Sequence, residues 1–592
     1  MPYCRFPDSR TRSSTKVNRL ALSLLCILLV SLALSAPAMA STPQLQIQGG
    51  EPAMQENIHA WITLANESCD LPGWRERTLL RNARRDAERA MQALGYYEST
   101  VNIRLDRHND CWALRVDLEP GEPVLIDNLR ISISGDAERD PAFIELLDAP
   151  PIRAGDIARH DGYERLKNTL VRLASERGYF ESRLTTSRFE LDPANRRANI
   201  VLTLESGPRY HFGHVAFEQD ILRDSLIQRF VTFAEGDPFD NRKLLALRQS
   251  LSSSGYFNEI RIQTEPDNET LAVPISVTAT PRPKYVWLAG IGFATDTGPR
   301  LRLGMENRRA NRRGHRYNVE SEASPVRRGV SFNYEIPLAD PNRERINLST
   351  GFVREETDTS ISRRSRVGIA HLRELDSGWV ATRSLDFERE SFEVADQRDV
   401  TDLLMPGFEL SRTRADHPIF PQRGWRLSGK IRGAEESLGS TVSLAQFRGR
   451  AKVIFPVPGG RLLSRLEIGA TAADQLVDLP SSVRFFAGGD NSVRGYGYQR
   501  LGPENEDGDV IGGRHMMVGS VEYDIPFLNS WSWALFMDGG NAYDRLVDFE
   551  PAYGVGTGIR WRSPIGPIRL DLARPSDGRD NVRVHISMGT DL

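Results

Sequence analysis

From about Val286 to Leu592 the chain is written in short segments that alternate apolar with polar residues between polar turns. This period of two sends successive side chains to opposite faces of a strand, and no helical periodicity competes with it. Ala552 to Arg562 sets Tyr553, Val555, Thr557, Ile559 and Trp561 on one face and Ala552, Gly554, Gly556, Gly558, Arg560 and Arg562 on the other. Ile568, Leu570 and Leu572 oppose Arg569, Asp571 and Ala573; Val582, Val584, Ile586 and Met588 oppose Arg583, His585, Ser587 and Gly589. A soluble sandwich produces the same alternation with its apolar face buried. Number separates the two readings. About sixteen such segments in roughly 300 residues is an even count within the range of bacterial outer-membrane barrels, whereas an open sheet of that size is unusual. Residues 282–592 are therefore predicted to form a membrane β-barrel of about 16 antiparallel strands.

The N-terminus supplies the route to such a membrane. Residues 1–40 read as a signal peptide: Arg5, Arg10, Arg12, Lys16 and Arg19 precede an apolar run from Leu20 to Leu34, followed by Ala38-Met39-Ala40. Beyond it no stretch approaches the ~18 apolar residues of a spanning helix. An exported barrel implies the cell outer membrane, with any N-terminal domains in the periplasm. Two of the four cysteines, Cys4 and Cys26, fall in the leader. Cys69 and Cys111 remain, and in an oxidising compartment they form either a disulfide or two buried thiols; spacing alone does not decide. The balance of 76 basic to 79 acidic residues offers no basic footprint for nucleic acid.

Between leader and barrel a motif recurs three times: Leu94-Gly95-Tyr96-Tyr97-Glu98-Ser99, Arg177-Gly178-Tyr179-Phe180-Glu181-Ser182 and Ser254-Gly255-Tyr256-Phe257-Asn258-Glu259. Its glycines stand 83 and 77 residues apart, too far for a solenoid and suited to repeated small domains. Each glycine ends a helical pattern. Tyr163, Leu166, Leu170, Leu173 and Ala174 share one face behind a cap expected at Asp161, and Leu244, Leu247 and Leu251 follow Asp240. Strand patterns run from Val124 to Ile133, Ser182 to Leu191 and Arg197 to Glu205 in the second unit, and from Tyr210 to Glu218, Glu259 to Glu265 and Thr270 to Thr278 in the third. The expected order is strand, helix, helix, strand, strand, in units 41–119, 120–206 and 207–281. So small a sheet leaves an edge that can take an extended peptide by strand addition; a spacer role is equally open.

One connection inside the barrel, residues 473–514, is far longer than the roughly 12–15 residues at which structureless loops become uncommon. It contains Phe485-Phe486-Ala487-Gly488-Gly489-Asp490-Asn491-Ser492-Val493-Arg494-Gly495-Tyr496. Aromatics and one arginine among glycines suggest a loop folded against something, and arginine forks well onto carboxylates. Alternation places Val521, Tyr523, Ile525 and Phe527 toward lipid and Glu522 inward; Trp531, Trp533, Leu535 and Met537 toward lipid and Phe536 and Asp538 inward. The loop is expected to tuck into the lumen with Arg494 gripping Glu522 and Asp538.

These residues carry a resemblance. Val493-Arg494-Gly495-Tyr496, followed by Phe536-Met537-Asp538-Gly539-Gly540, resembles the two signature motifs of the outer-membrane assembly superfamily, related to BamA, that couples POTRA domains to a sixteen-stranded barrel. Gly558 to Asp571 is similar to its penultimate barrel region. Three POTRA repeats, Arg484 to Asp490 and the ending Gly589-Thr590-Asp591-Leu592 resemble the TamA branch, the outer-membrane subunit of the translocation and assembly module. The resemblance implies a loop lock at Val493, Arg494, Gly495 and Tyr496, with Asp538 as the lumen carboxylate, Glu522 as a second partner, and Phe536 and Gly540 beside them. It also implies insertion of unfolded outer-membrane protein clients, notably autotransporters, with a TamB-like partner anchored in the inner membrane and spanning the periplasm. Leu592 departs from the terminal aromatic common in barrel proteins.

Insertion into lipid must avoid unpaired backbone groups, each costing several kcal/mol. A barrel whose first and last strands pair weakly offers its edges as a template. Gly290 and Gly292 in the first strand and Gly589 in the last place the expected seam at Val286 to Phe293 against Val582 to Thr590, although glycines also serve ordinary barrel packing. The rival reading is a passive outer-membrane secretion channel of the two-partner type. A barrel enzyme finds no convincing Ser, His and acid set. No phosphate loop, metal-ligand cluster or cofactor motif is visible, and Gly554, Gly556 and Gly558 lie in a strand with no following helix.

Overall fold

A computed structural model of the chain describes residues 42–64, 67–107, 111–563, 566–578, 582–589 and 591–592. The expected signal peptide, 1–40, lies outside them. The chain divides into two compact units, one reaching Tyr210 and one beginning at His211.

The first unit holds two copies of one motif. In the first copy β1 (Gln44–Gln48) is followed by α1 (Pro52–Trp61), α2 (Gly73–Ala93), β2 (Thr100–Arg107) and β3 (Trp112–Glu119). In the second, β4 (Leu125–Ser134) is followed by α3 (Pro141–Asp148), α4 (His160–Glu176), β5 (Arg183–Asp192) and β6 (Arg197–Glu205). The last strand of each copy lies central, parallel to the first and antiparallel to the second. Parallel pairing needs a crossover, which the two helices provide. The stripe Tyr163, Leu166, Leu170 and Ala174 of α4 packs with Ala198, Ile200, Leu202 and Leu204 of β6. Cys69 and Cys111 are joined by a disulfide, 42 residues apart in sequence.

One detail differs from expectation. Asp161 does not cap α4; Arg159 stands at the cap, and Asp161 sits in the first turn with its carboxylate engaged by Arg159 and Arg165. An acid in the first turn still complements the helix dipole. Asp240 does cap its helix, accepting from the Arg242 amide at 2.9 Å.

The second unit opens with a third copy: β7 (His211–Glu218), α5 (Asp224–Ile227), α6 (Asn241–Ser253), β8 (Phe257–Thr264) and β9 (Ala272–Pro281). Gly95, Gly178 and Gly255 all adopt positive φ, 93°, 86° and 75°, which explains why the repeat keeps a glycine where each helix turns back. Among the described residues sixteen antiparallel strands follow in chain order, from β10 (Tyr285–Ala294) to β25 (Arg583–Met588), each paired with its sequence neighbours. The third copy docks on the turns at the barrel end where β10 begins. Tyr256 donates to the Gly314 carbonyl and lies under the Arg316 guanidinium at 4.3 Å, while the Asn342 amide reaches Ser250.

All six tryptophans of the barrel, Trp287, Trp379, Trp425, Trp531, Trp533 and Trp561, lie near that same end of the wall. Indoles favour the headgroup layer, so these residues mark one membrane interface. Outward positions are apolar and exposed, as at Ile291 (84%), Val521 and Met537, while inward positions such as Glu522 and Asp538 are buried.

Candidate functional site

The long connection runs from the end of β20 (Gly460–Ala472) to β21 (His515–Leu528) and fills part of the lumen. Phe485, Ala487, Val493 and Tyr496 pack with Met516, Val518 and Ala542 of the wall in one buried cluster. Ladder geometry explains how the loop gets so close. On β23 (Ala552–Ser563) three successive inward positions are glycines. A Cβ at Gly554 would lie 1.8 Å from the Arg494 carbonyl oxygen, one at Gly556 2.4 Å from the Phe536 ring, and one at Gly558 1.9 Å from the Asp571 carboxylate. Gly554 thus gives the loop backbone its place, while Gly556 and Gly558 make room for the Phe536 ring and the Asp571 carboxylate beneath it.

There Arg494 is buried among three carboxylates. Its Nε and Nη2 fork onto Asp538 at 2.7 and 2.9 Å, and its own backbone amide donates to the same carboxylate at 3.0 Å. Nη1 donates to Glu522 at 2.8 Å and to Asp571 at 3.0 Å, and the guanidinium stacks 3.4 Å from the centre of the Phe536 ring. Arg560 closes the cluster, donating to Glu522 and Asp571. Asp538 comes from β22 (Trp531–Tyr543) and Asp571 from β24 (Gly566–Pro575). One loop arginine thus ties three wall strands together, in the bidentate, fully hydrogen-bonded geometry that a buried ion pair requires.

Among the described residues the two ends of the wall do not form a ladder. Two hydrogen bonds, among the described residues, join β25 to Thr295, the residue just past β10: the Thr295 amide donates to the Ile586 carbonyl at 3.1 Å, and the Ile586 amide donates to the Thr295 side-chain hydroxyl at 3.1 Å. Gly290 and Gly292 lie within β10, and Gly589 directly follows β25. Beyond Gly589, Asp591 is held by Arg461 and Arg569 on the inner wall.

The inner loop crosses this seam. Asp490 accepts from Thr295 Oγ1 at 2.8 Å and from His585 Nδ1 at 2.6 Å, and its amide donates to Asp296 at 2.6 Å. The Gly495 amide donates to His585 Nε2 at 3.0 Å, so the loop holds both nitrogens of a last-strand imidazole. Asp296, in the turn after β10, is pushed up to about 7 by burial and by the facing Asp490 carboxylate, against the opposing pull of the Asp490 amide and of His585.

The structure therefore brings Arg494, Glu522, Asp538 and Phe536 together around one guanidinium. Val493 and Tyr496 serve as the loop's apolar anchors, Gly495 faces His585, and Gly540 sits two residues beyond Asp538 on the same face of β22. Sequence reasoning put Asp571, Arg560 and His585 on polar faces but did not assign them to the site. The cluster of Asp296, Asp490 and His585 was not foreseen, because its members come from three elements far apart in the chain.

An Omp85 superfamily domain matches residues 290–592, a POTRA domain of the TamA domain 1 type matches residues 44–120, and a POTRA domain described as a surface antigen variable number repeat matches residues 210–281. The chain belongs to the Omp85 superfamily. It is an outer-membrane β-barrel with N-terminal POTRA domains, which are periplasmic in this family. It is 25% identical over 404 residues to the outer membrane protein assembly factor BamA of Nitratidesulfovibrio vulgaris, covering 62% of this chain and 49% of the relative. To BamA of Neorickettsia risticii it is 22% identical over 534 residues, covering 82% of this chain and 68% of the relative. The chain thus spans about half the length of the first of these relatives and about two thirds of the second. The crystal structure of BamA from Haemophilus ducreyi lacking POTRA domains 1–3 superposes with a TM-score of 0.67 at 16% identity, covering 79% of this chain and 99% of that one, which is a likeness of fold.

Proposed function

We propose that this Omp85 protein assembles β-barrel proteins, autotransporters among them, into the outer membrane by parting its wall between β10 and β25 and offering the freed edges as a template. The observation that carries the reading is the seam, where, among the described residues, two strand ends face each other across two hydrogen bonds instead of a ladder. Elsewhere in the wall, opening would expose a full row of backbone groups to lipid, at several kcal/mol per unpaired group; here almost none are at stake. The loop lock centred on Arg494 keeps the rest of the wall in shape while the seam works. The POTRA sheets leave β1, β2, β4, β5, β7 and β8 at sheet edges, suited to extended clients and to a TamB-like periplasm-spanning partner.

The test is a reversible lock. A Cβ at Gly292 would lie 3.8 Å from the Met588 methyl, across the seam, so Gly292→Cys paired with Met588→Cys can be oxidised in proteoliposomes. Client insertion is expected to stop on oxidation and to resume on reduction. Full insertion through the oxidised protein would end the proposal.

A further inference from the structure

The strands at the seam are held less by each other than by the inner loop, and the chemistry of that contact is unusual. Asp490 has its Oδ1 occupied by Thr295 and His585, while its Oδ2 is buried with no donor. Asp296 approaches from the first hairpin; one oxygen of each acid and one nitrogen of His585 lie within 4.8 Å of one another. Gly489 makes this approach possible, since a Cβ there would sit 2.5 Å from Asp296 Oδ2. Asp490 is buried and Asp296 half-buried, two carboxylates this close repel each other, and a single proton between them removes the repulsion.

We propose that Asp490 is a latch closing the barrel seam, and that one proton held between Asp490 and Asp296 keeps it shut. This rests on the reading of β10 and β25 as the working seam. A proton on Asp296 gives the orphaned Asp490 Oδ2 its donor and lets the loop bind the first hairpin and the last strand at once. Loss of that proton sets two anions against each other and frees β25 from β10.

A divalent cation is the other species that could sit between these groups. The imidazole argues for the proton. His585 Nε2 accepts the Gly495 N–H, so Nδ1 carries the hydrogen and donates it to Asp490, whereas a ligating histidine binds through a bare nitrogen and donates from the other. The charged and titratable groups around Asp296 are Asp490 and Tyr498 on the loop and His585 on the last strand. Arg494 and Arg465, the loop's further charged neighbours, are engaged with the wall carboxylates and with the Ser492 carbonyl.

Closure binds a proton that the open form, with Asp296 in water at its ordinary value near 4, does not, so the closed form loses stability as pH rises from about 4 through about 7. Nitroxides on the outward-facing Ile291→Cys and Val584→Cys positions of the full-length protein in lipid nanodiscs read the seam distance directly. Between about pH 5.5 and about pH 8.5 the ratio of long to short distances is expected to rise roughly thirtyfold. Asp296→Asn, whose amide mimics the protonated acid, is expected to stay short at both pH values. Asp490→Ala is expected to show the long distance at both, with heat-modifiable electrophoretic mobility as the check that the barrel has folded. A distribution that ignores pH in the unmutated sites, or that keeps its pH response in Asp296→Asn, would overturn the latch. A short distance lost to EDTA and restored by Zn2+ would replace the proton with a metal. The distances are independent of client insertion, so a working latch on an idle seam and a working seam without a latch give different results.

Discussion

Arg494 faces Asp538, Glu522 and Asp571 at once, and among the described residues Arg560 is the one other cation hydrogen-bonded to two of them. Removing Arg494 leaves Glu522 and Asp571 with Arg560 alone and Asp538 with the Ser520 hydroxyl and no hydrogen-bonded cation among the described residues, the situation in which breaking a buried ion pair costs about 3–5 kcal/mol. Arg494→Ala is therefore expected to free the loop, read as loss of amide-exchange protection over 485–501. Arg494→Lys should recover little, because an ammonium cannot fork onto Asp538 while also reaching Glu522 and Asp571. Asp571→Ala is expected to be as damaging as Asp538→Ala, and the Arg494→Ala and Asp571→Ala effects should be far from additive in a double-mutant cycle. At this scale the face of each residue was legible and its partner often was not. Alternation fixed Glu522, Asp538 and Asp571 as inward, since strand parity admits two answers only. Which inward acid a loop arginine reaches depends on how a curved wall brings strands of different register to one height, and no local pattern encodes that.

The POTRA repeats were readable as elements because glycine, helix stripe and strand recur together, and the missed cap at Asp161 shows where the reading stops: cap geometry turns on one φ/ψ pair. A feature without any repeat signal is Asp140, whose fully buried carboxylate caps α3 through the Ala142 amide, accepts from Arg177 and Tyr179 and is ion-paired with Arg209. Burial acts to raise this acid, but the Arg177 and Ala142 hydrogen bonds and the charges of Arg177 and Arg209 outweigh it and hold it below the usual carboxylate range. Burial and the Asp140 charge push Tyr179 up to about 12. The depressed acid contributes stability that is complete above its unfolded value near 4 and is lost as pH falls through its folded one. Asp140→Asn is thus expected to weaken amide protection of α3 and α4 near neutral pH, with the difference from the unmutated protein shrinking as pH falls below about 4. In the first repeat, reducing the disulfide between Cys69 and Cys111 releases a loop of 42 residues, worth about 4 kcal/mol in the chain-entropy picture. Proteolysis within residues 42–119 should accelerate in dithiothreitol while the barrel stays resistant.

Taken whole, the barrel is a wall with one weak join, a finger inside it, and space left over. That space is a cavity of about 640 Å³ between the inner loop and the far wall, and its charge is uneven. Lys430 and Arg432 face it without a carboxylate at ion-pair distance among the described residues, Arg448 and Arg450 share the single carboxylate of Glu467, and Arg484 is satisfied by carbonyl oxygens and Gln397. A surplus of fixed cations in a narrow aqueous path raises the local concentration of anions over that of cations. Any residual current through the closed protein is therefore expected to favour chloride over potassium, read as the sign of the reversal potential across a salt gradient in a planar bilayer. The same recording separates the assembly reading from the passive channel. With the loop held by Arg494, conductance should be small; Arg494→Ala should raise it several-fold while keeping the selectivity, because the cationic lining belongs mainly to the wall. A large, steady, porin-like current in the unmutated protein would favour the channel, since a lumen already open has no use for a clamp that ties a loop to three strands.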